Sequence, residues 1–378
     1  MKPLAKPLQT VRGFPAIILI LVSLLTSSCV VRSTPENIAP ERTRYNEVIR
    51  HTEDEQLLSN IVRLRYNDTP FFLDLGSVVV QYGVESRANA GLTFGIEDFF
   101  SDNAGSGSGN VGGGVTLSER PTVSYSPLQG ESYARRLLTS IPMEVIWLLA
   151  DSGWSIERLL VLTVERLQGL DNAPTASGPH PQTAPRYAEF RELASIARRL
   201  QQSRILTLTT RLANEDRTLE LQIATGSESA ASNDVERFRQ LLQLPEDADR
   251  IVLGTIDDNG SVSTPTGIRT RSMLGVLYFI ANSIDVPDAH ARIGLARQAS
   301  LGSERFDWQE IFAGIVEIQH SVDEPDYAFV RTRYRDHWFY IDDRDADSKA
   351  TFGLLQLLFS LQSTTGSGTM PLLTLPAN

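Results

Sequence analysis

The chain is expected to adopt an α+β fold, with mixed, mostly antiparallel sheets, packed amphipathic helices and a long glycine-rich β-ribbon near 86–125. Three observations point there. "LTLTTRL" and "TLELQIA" alternate strictly around Asn214-Glu215-Asp216, the pattern of a β-hairpin. Apolar stripes at helical spacing recur between the strand-like segments, as in Phe190, Leu193, Ala194, Ala197 and Leu200. "LTFGIEDFFSDNAGSGSGNVGGGVTLSE" (92–119) alternates up to Phe100, passes through mostly small residues, and alternates again from Val111. Tight hairpins dominate the pattern, which favours α+β over a doubly wound sheet.

At the start, Lys2, Lys6 and Arg12 precede "FPAIILILVSLL" (14–25), a run of signal-core length and too short to span a bilayer as a helix. "TSSC" then ends at Cys29, the one cysteine of the 378 residues. This resembles a bacterial lipoprotein signal, with 1–28 removed and Cys29 lipidated. Thr26 stands where that pattern usually has Leu, and Leu25 lies one place further back. The resemblance implies the outer membrane, because Val30 rather than Asp follows the cysteine. A lone cysteine excludes an internal disulfide framework, so stability must come from core burial. The formal charge of −11 becomes −14 without the three basic leader residues, which argues against a nucleic-acid partner.

Residues 29–50 are polar, with Pro35 and Pro40, and read as a tether. An N-terminal α+β region, 51–170, follows. Thr52 and Glu55 have capping-box spacing ahead of a stripe of Leu57, Leu58, Ile61, Val62 and Leu64. "YNDTP" breaks that helix, and "FFLDLGSVVVQYGV" reads as extended chain. In the ribbon, Ala88, Ala90, Leu92, Phe94 and Ile96 share one face. Closure at Phe100–Val111 pairs Ile96 with Val115 and Phe94 with Leu117. Helices are predicted over 131–150, interrupted by Pro142, and over 156–169, capped by Ser155. The Pro-rich stretch 171–186 reads as a linker or long loop, ahead of a C-terminal α+β region, 187–362. There a helix near 234–243 leads to "RIVLGTI", a "DDNG" turn and a helix from about 269 to 283. "FAGIVEIQ", "YAFVRTRYR" and "HWFYIDD" read as strands, "SKATFGLLQLLFSLQ" as a closing helix, and 363–378 as a flexible tail.

Chemistry is sparse. His51, His180, His290, His320 and His337 are scattered without ligand spacing, so neither a metal nor a cofactor is expected. Asp343, Asp345 and Asp347 begin like a calcium loop, but Ser348 and Leu354 occupy the positions that need Gly and Glu, which leaves helix capping. "GSGNVG" (107–112) matches the dinucleotide fingerprint in letters only, since strand-like sequence follows it. The candidate ligand face is Arg331, Arg333, Arg335, Trp338 and Tyr340. A turn at Asp336-His337 would set Arg335 opposite Trp338 and Arg333 opposite Tyr340, guanidinium forks among aromatic rings. The bland alternative is a solvated sheet face whose cross-strand pairs satisfy one another.

"ERTRYNEVIRHTEDEQLLSNIVRLRYNDTPFFLDL" and "HWFYIDDRDADSKATFGLLQLLFSL" look like segments of a poorly characterised group of bacterial envelope lipoproteins with no established activity. The resemblance implies location and adds no site residues. The expected function is a lipid-anchored outer-membrane protein facing the periplasm, a non-enzymatic binding or assembly module. Its partners would be the membrane, through the N-terminal lipid, and an envelope protein or a second copy. The runner-up is an oligomeric export or pore component inserting the hairpin 88–118, with apolar residues outward and small or polar ones inward. Against it, the return strand offers only Val111 to Leu117, about 23 Å at ~3.3 Å per residue. A third reading is an envelope hydrolase using Asp and Glu.

Overall fold

The computed structural model describes residues 35–92, 109–179, 183–213, 216–224, 232–255, 266–296, 298–301 and 303–363. Cys29 with its leader, the ribbon tip 93–108, the hairpin turn 214–215, His180 and the tail beyond Ser363 lie outside them. The chain forms two compact units, 1–53 and 54–378. In chain order come helix α1 (Pro35–Arg65), strands β1 (Leu73–Leu92) and β2 (Gly109–Pro127), and helices α2 (Glu131–Leu138), α3 (Met143–Asp151) and α4 (Ile156–Thr163). Next are β3 (Val164–Leu167), β4 (Leu170–Asp171), α5 (Ala188–Gln202), β5 (Leu206–Ala213), β6 (Asp216–Ile223) and α6 (Ser232–Leu241). Then follow β7 (Arg250–Thr255), β8 (Thr266–Thr270), α7 (Met273–Ala281), α8 (Asp288–Arg292), β9 (Ser300–Leu301), β10 (Glu304–Arg305) and α9 (Gln309–Phe312). The last elements are β11 (Gln319–Ser321), β12 (Ala328–Tyr334), β13 (His337–Asp342) and α10 (Ala346–Ser363).

The tether expected over 29–50 is corrected from Pro35 onward, because α1 is already helical there. A proline at a helix start costs little, since its missing N–H would have no intrahelical acceptor. Thr52 is no cap: its Oγ1 donates to the Val48 carbonyl one turn back, at 2.9 Å.

β1 and β2 form a two-stranded antiparallel ribbon running from Leu73 opposite Pro127 to Leu92 opposite Gly109. The expected register is corrected. Val115 faces Ser86 and Leu117 faces Val84, so neither meets Ile96 or Phe94. This register lets Val78–Val80 and Val123–Ser126 continue the ladder. The expected register, carried on, would set Val78–Val80 opposite residues 131–133, which are helical, and leave them without strand partners.

A six-stranded sheet of order β4-β3-β8-β7-β6-β5 is antiparallel except for the parallel pair β7–β8. It takes strands from both sides of 171–186, so the regions 51–170 and 187–362 share one sheet. The proline-rich stretch between them is a packed loop in its described part. Asn172, Ala173 and Ala176 are buried, and Pro174–Ser177 forms a short 3₁₀ turn.

Two predicted helices are shorter than expected. The one over 156–169 stops at Thr163, because Val164–Leu167 pairs with Ile268–Thr270. The one over 269–283 starts at Met273, where the Ser272 hydroxyl accepts from the Gly275 amide at 3.1 Å. Ser155 caps α4 as expected, accepting from the Arg158 amide at 3.4 Å. Pro142 divides 131–150 into α2 and α3. "FAGIVEIQ" is mostly a buried connection, with Ile315, Val316 and Ile318 in the core, a single parallel bridge from Ile318 to Ile284, and a strand only from Gln319. The hydrophobic centre lies among α4, α5, α7 and α10, whose Leu159, Phe190, Phe279 and Leu355 exclude solvent completely.

Candidate functional site

β11, β13 and β12 form a three-stranded antiparallel sheet. The turn of the β12–β13 hairpin is Arg335-Asp336, both at positive φ (48° and 64°), as a twist-matched two-residue turn requires. That moves the register by two residues from the expected one. Arg331 lies opposite Tyr340, Arg333 opposite Trp338, and Tyr334 opposite His337. Arg335 therefore leaves the candidate face, while Arg331, Arg333, Trp338 and Tyr340 stay together on it.

Each of the three arginines has a carboxylate of its own chain. Arg331 reaches Glu324 at 2.6 Å, donates to the Pro325 carbonyl and lies 5.6 Å from the Trp338 ring centre. Arg333 is 3.7 Å from Asp336, and both are largely solvated. Arg335 folds back across the hairpin to Asp68 at 3.0 Å and over the rings of Tyr66 and Tyr334. Tyr334 donates its hydroxyl to the same carboxylate. That bond first, then Arg335 and Arg63, hold the Asp68 carboxyl below its ordinary range.

The inward face carries what spacing along the chain did not reveal. His320 lies opposite Phe339, and His337 sits two residues before Phe339 on β13, so period-two alternation turns both toward the core with that ring. His290, from α8, meets them there. Ring centres are 4.7 Å apart for His290–His337 and 5.9 Å for His320–His337. Tyr66, one residue past α1, places its hydroxyl 2.8 Å from His290 Nδ1. Burial, then His337, Arg335 and His320, hold the His290 pKa below its ordinary value. Burial pushes the Tyr66 phenol up to about 12. Both groups are thus neutral near pH 7, with Tyr66 donating to Nδ1 and the imidazole proton assigned to Nε2. At the far end of the row, His320 Nδ1 lies 3.0 Å from Asp285 Oδ2.

Asp285 also edges a cavity of about 340 Å³ bounded by the end of α1, the connection after α7 and residues 305–309. Arg65, Ser283, Phe306 and Trp308 line it and are buried; Asp285, Arg305, Asp307 and Glu317 line it and are exposed. Burial first, and Arg305 second, bring the Arg65 pKa down to about 10. The positions that build this cavity lie between residues 65 and 317, on segments without a common motif.

Among the described residues no three His, Cys, Asp or Glu side chains are placed to hold a metal ion, and no helix is long and apolar enough to cross a membrane. Asp345 caps α10, accepting from the amides of Asp347 and Ser348, each at 3.1 Å. No family model, curated protein or solved structure matches the chain.

Proposed function

We propose that the chain is a non-enzymatic, lipid-anchored protein of the bacterial outer membrane, facing the periplasm, which assembles with envelope partners or further copies through its glycine-rich ribbon. The leader ending at Cys29 and its resemblance to lipoprotein signals support the anchor. The observation that carries assembly is the β1–β2 ribbon, which among the described residues is a sheet of two strands with no third strand paired to either edge. Two-stranded ribbons are marginal in water, and open edges are templates for pairing. Gly83, Gly91, Gly109 and Gly112–Gly114 weaken this one further, since glycine brings strand entropy without side-chain packing. Pairing each edge with another strand offsets that cost.

The length of the paired strands keeps a second reading open. Strands Leu73–Leu92 and Gly109–Pro127 exceed the ~9–11 residues of a membrane-spanning strand, which supports a ring of ribbons closing into an export or pore wall. The experiment is native mass in mild detergent, for the full protein and for a variant lacking Val84–Leu117, a register-matched excision. The account expects a multimer that falls to single chains on excision. A single chain in both samples would overturn it. Cys29→Ser is expected to release the protein from the membrane pellet.

A further inference from the structure

The register of the β1–β2 ribbon sorts its residues into two unlike faces. Residues alternate between faces along each strand, and directly opposed residues share a face. Val84, Ala88, Ala90 and Leu92 therefore share a face with Val111, Val115 and Leu117. From Val84 opposite Leu117 to Leu92 opposite Gly109, that face holds no charged residue, and Ser86 is its one polar side chain. The other face holds Glu85, Arg87, Asn89, Asn110 and Thr116, completed by Gly91, Gly112 and Gly114. Among the described residues, no helix or further strand packs more than slightly on either strand, so no other element covers the apolar face. Long apolar faces that the chain itself does not cover mark contacts with membranes or other proteins.

Edges and length decide what covers it. A second copy laid face to face would cover the apolar side and leave both backbone edges without partners. A ring in which each copy pairs both edges with its neighbours satisfies those edges, and its closed wall then has one face outward and one inward. The polar, glycine-rich face suits a water-filled interior, and the apolar face suits hydrocarbon. Val84–Leu92 and Gly109–Leu117 are nine residues each, about 30 Å at ~3.3 Å per residue. Tilted by ~40°, such strands rise about 23 Å, against an apolar band of ~25 Å in transmembrane barrels. At the base, the next pair on the apolar face is Tyr82 opposite Glu119. An aromatic ring and a carboxylate suit the water interface, where barrels carry aromatic girdles and a charge costs least. A span moved toward Val78 and Val80 would bring Glu119 inside the apolar band.

We propose that Val84–Leu92 and Gly109–Leu117 cross the bilayer, with their apolar face against lipid acyl chains, the face of Glu85, Arg87 and Asn89 toward the interior of a closed ring, and Tyr82 with Glu119 at the membrane surface. This rests on the edge-to-edge assembly proposed above and adds lipid as the partner of one stated face. The lower part of the ribbon, Leu73–Gln81 with Arg120–Pro127, then stands between the membrane and the folded body.

The test uses the full-length protein in vesicles of phosphatidylethanolamine and phosphatidylglycerol, with and without nitroxide-labelled acyl chains. Ala88→Cys, Val115→Cys and Leu117→Cys sample one face, and Arg87→Cys, Asn89→Cys and Thr116→Cys the other. Each variant takes a fluorescent maleimide, with the parent as blank because Cys29 is its one cysteine. Labels on the first set are expected to be quenched by nitroxide lipid about twofold or more beyond those on the second. Labels on the second set are expected to be quenched by aqueous iodide instead. Ala88→Arg, at the middle of the span, should cut the multimer recovered from vesicles about tenfold. Asn89→Arg, one residue on and on the other face, should leave that yield unchanged. A multimer whose two sets are quenched alike by lipid, or not at all, would overturn the proposal and leave assembly standing. Single chains in the vesicles, read by native mass after mild extraction, would overturn it together with the assembly on which it rests.

Discussion

Replacing Arg271 by methionine keeps most of the side-chain bulk and removes one cation that five acceptors share. Its Nη1 donates to the carbonyls of Val161, Leu162 and Val164 at 3.1, 3.3 and 2.6 Å, its Nη2 to Asn172, and its Nε to Ser177 Oγ at 2.9 Å. The guanidinium carbon lies 3.9 Å from the Phe279 ring centre, and the residue is 1% exposed. Two of these carbonyls belong to the last turn of α4 and have no later helical amide to accept from. Bonds to a charged donor are worth about 1.5–3 kcal/mol each, but five that share one desolvated group do not add. Removing one partner from a buried charged network costs about 3–5 kcal/mol. At about 2 °C per kcal/mol for a chain of this size, the melting temperature should fall by about 6–10 °C. Scanning calorimetry with urea unfolding reads both numbers. Lysine, with a compact ammonium and three donors, should recover part of the loss. A methionine variant within about 1 kcal/mol of the parent would refute the reasoning, because the α4 carbonyls would then be satisfied without this side chain.

The remaining predictions concern acid stability and a cap. His290 has a folded-state pKa below its ordinary 6.5, so between that pKa and 6.5 the unfolded chain binds more protons and stability falls as pH drops. The titratable and charged groups facing it are His337, His320, Arg335 and Asp336, of which only Asp336 favours protonation of His290. His290→Phe should make the decline in urea midpoint between pH 6.5 and 5 shallower. Asp68, Glu192 and Asp234 are held low by their hydrogen bonds to Tyr334, Arg237 and Arg199. Their contribution is present above the ordinary carboxylate range and is lost as pH falls below 4, which an acid titration followed by circular dichroism would show. Asp345→Ala should cost about 1 kcal/mol by loss of the α10 cap, and Asp345→Asn much less.

What the sequence revealed follows from how local each signal is. The β5–β6 hairpin, the caps at Ser155 and Asp345 and the break at Pro142 are written within a few residues, and each is legible. The end of α4 is not, because it depends on Arg271, more than a hundred residues later. The β12–β13 register was misplaced by two for a related reason. Asp336-His337 and Arg335-Asp336 are equally poor turn dipeptides, and the contacts of Arg335 with Asp68, Tyr66 and Tyr334 come from outside the hairpin. Alternation survives a shift of two, so the composition of the Arg331, Arg333, Trp338 and Tyr340 face was readable although its pairs were not. The histidine row and the cavity were invisible, since residues 65, 283, 290, 308, 320 and 337 have no sequence spacing in common.

Amide hydrogen exchange along the ribbon tests the central claim most directly. In a two-stranded antiparallel ribbon about half of the amides in each strand point to the partner strand, and the other half point outward at an open edge. Residue-resolved exchange on the full-length protein in mild detergent separates the two sets over residues 73–92 and 109–127. If the ribbon assembles edge to edge, outward amides will be protected as strongly as inward ones, and excision of Val84–Leu117 from one partner in a mixed sample will expose them. If the ribbon stands alone, outward amides will exchange at the rate of free peptide whatever the protein concentration, and the assembly reading fails.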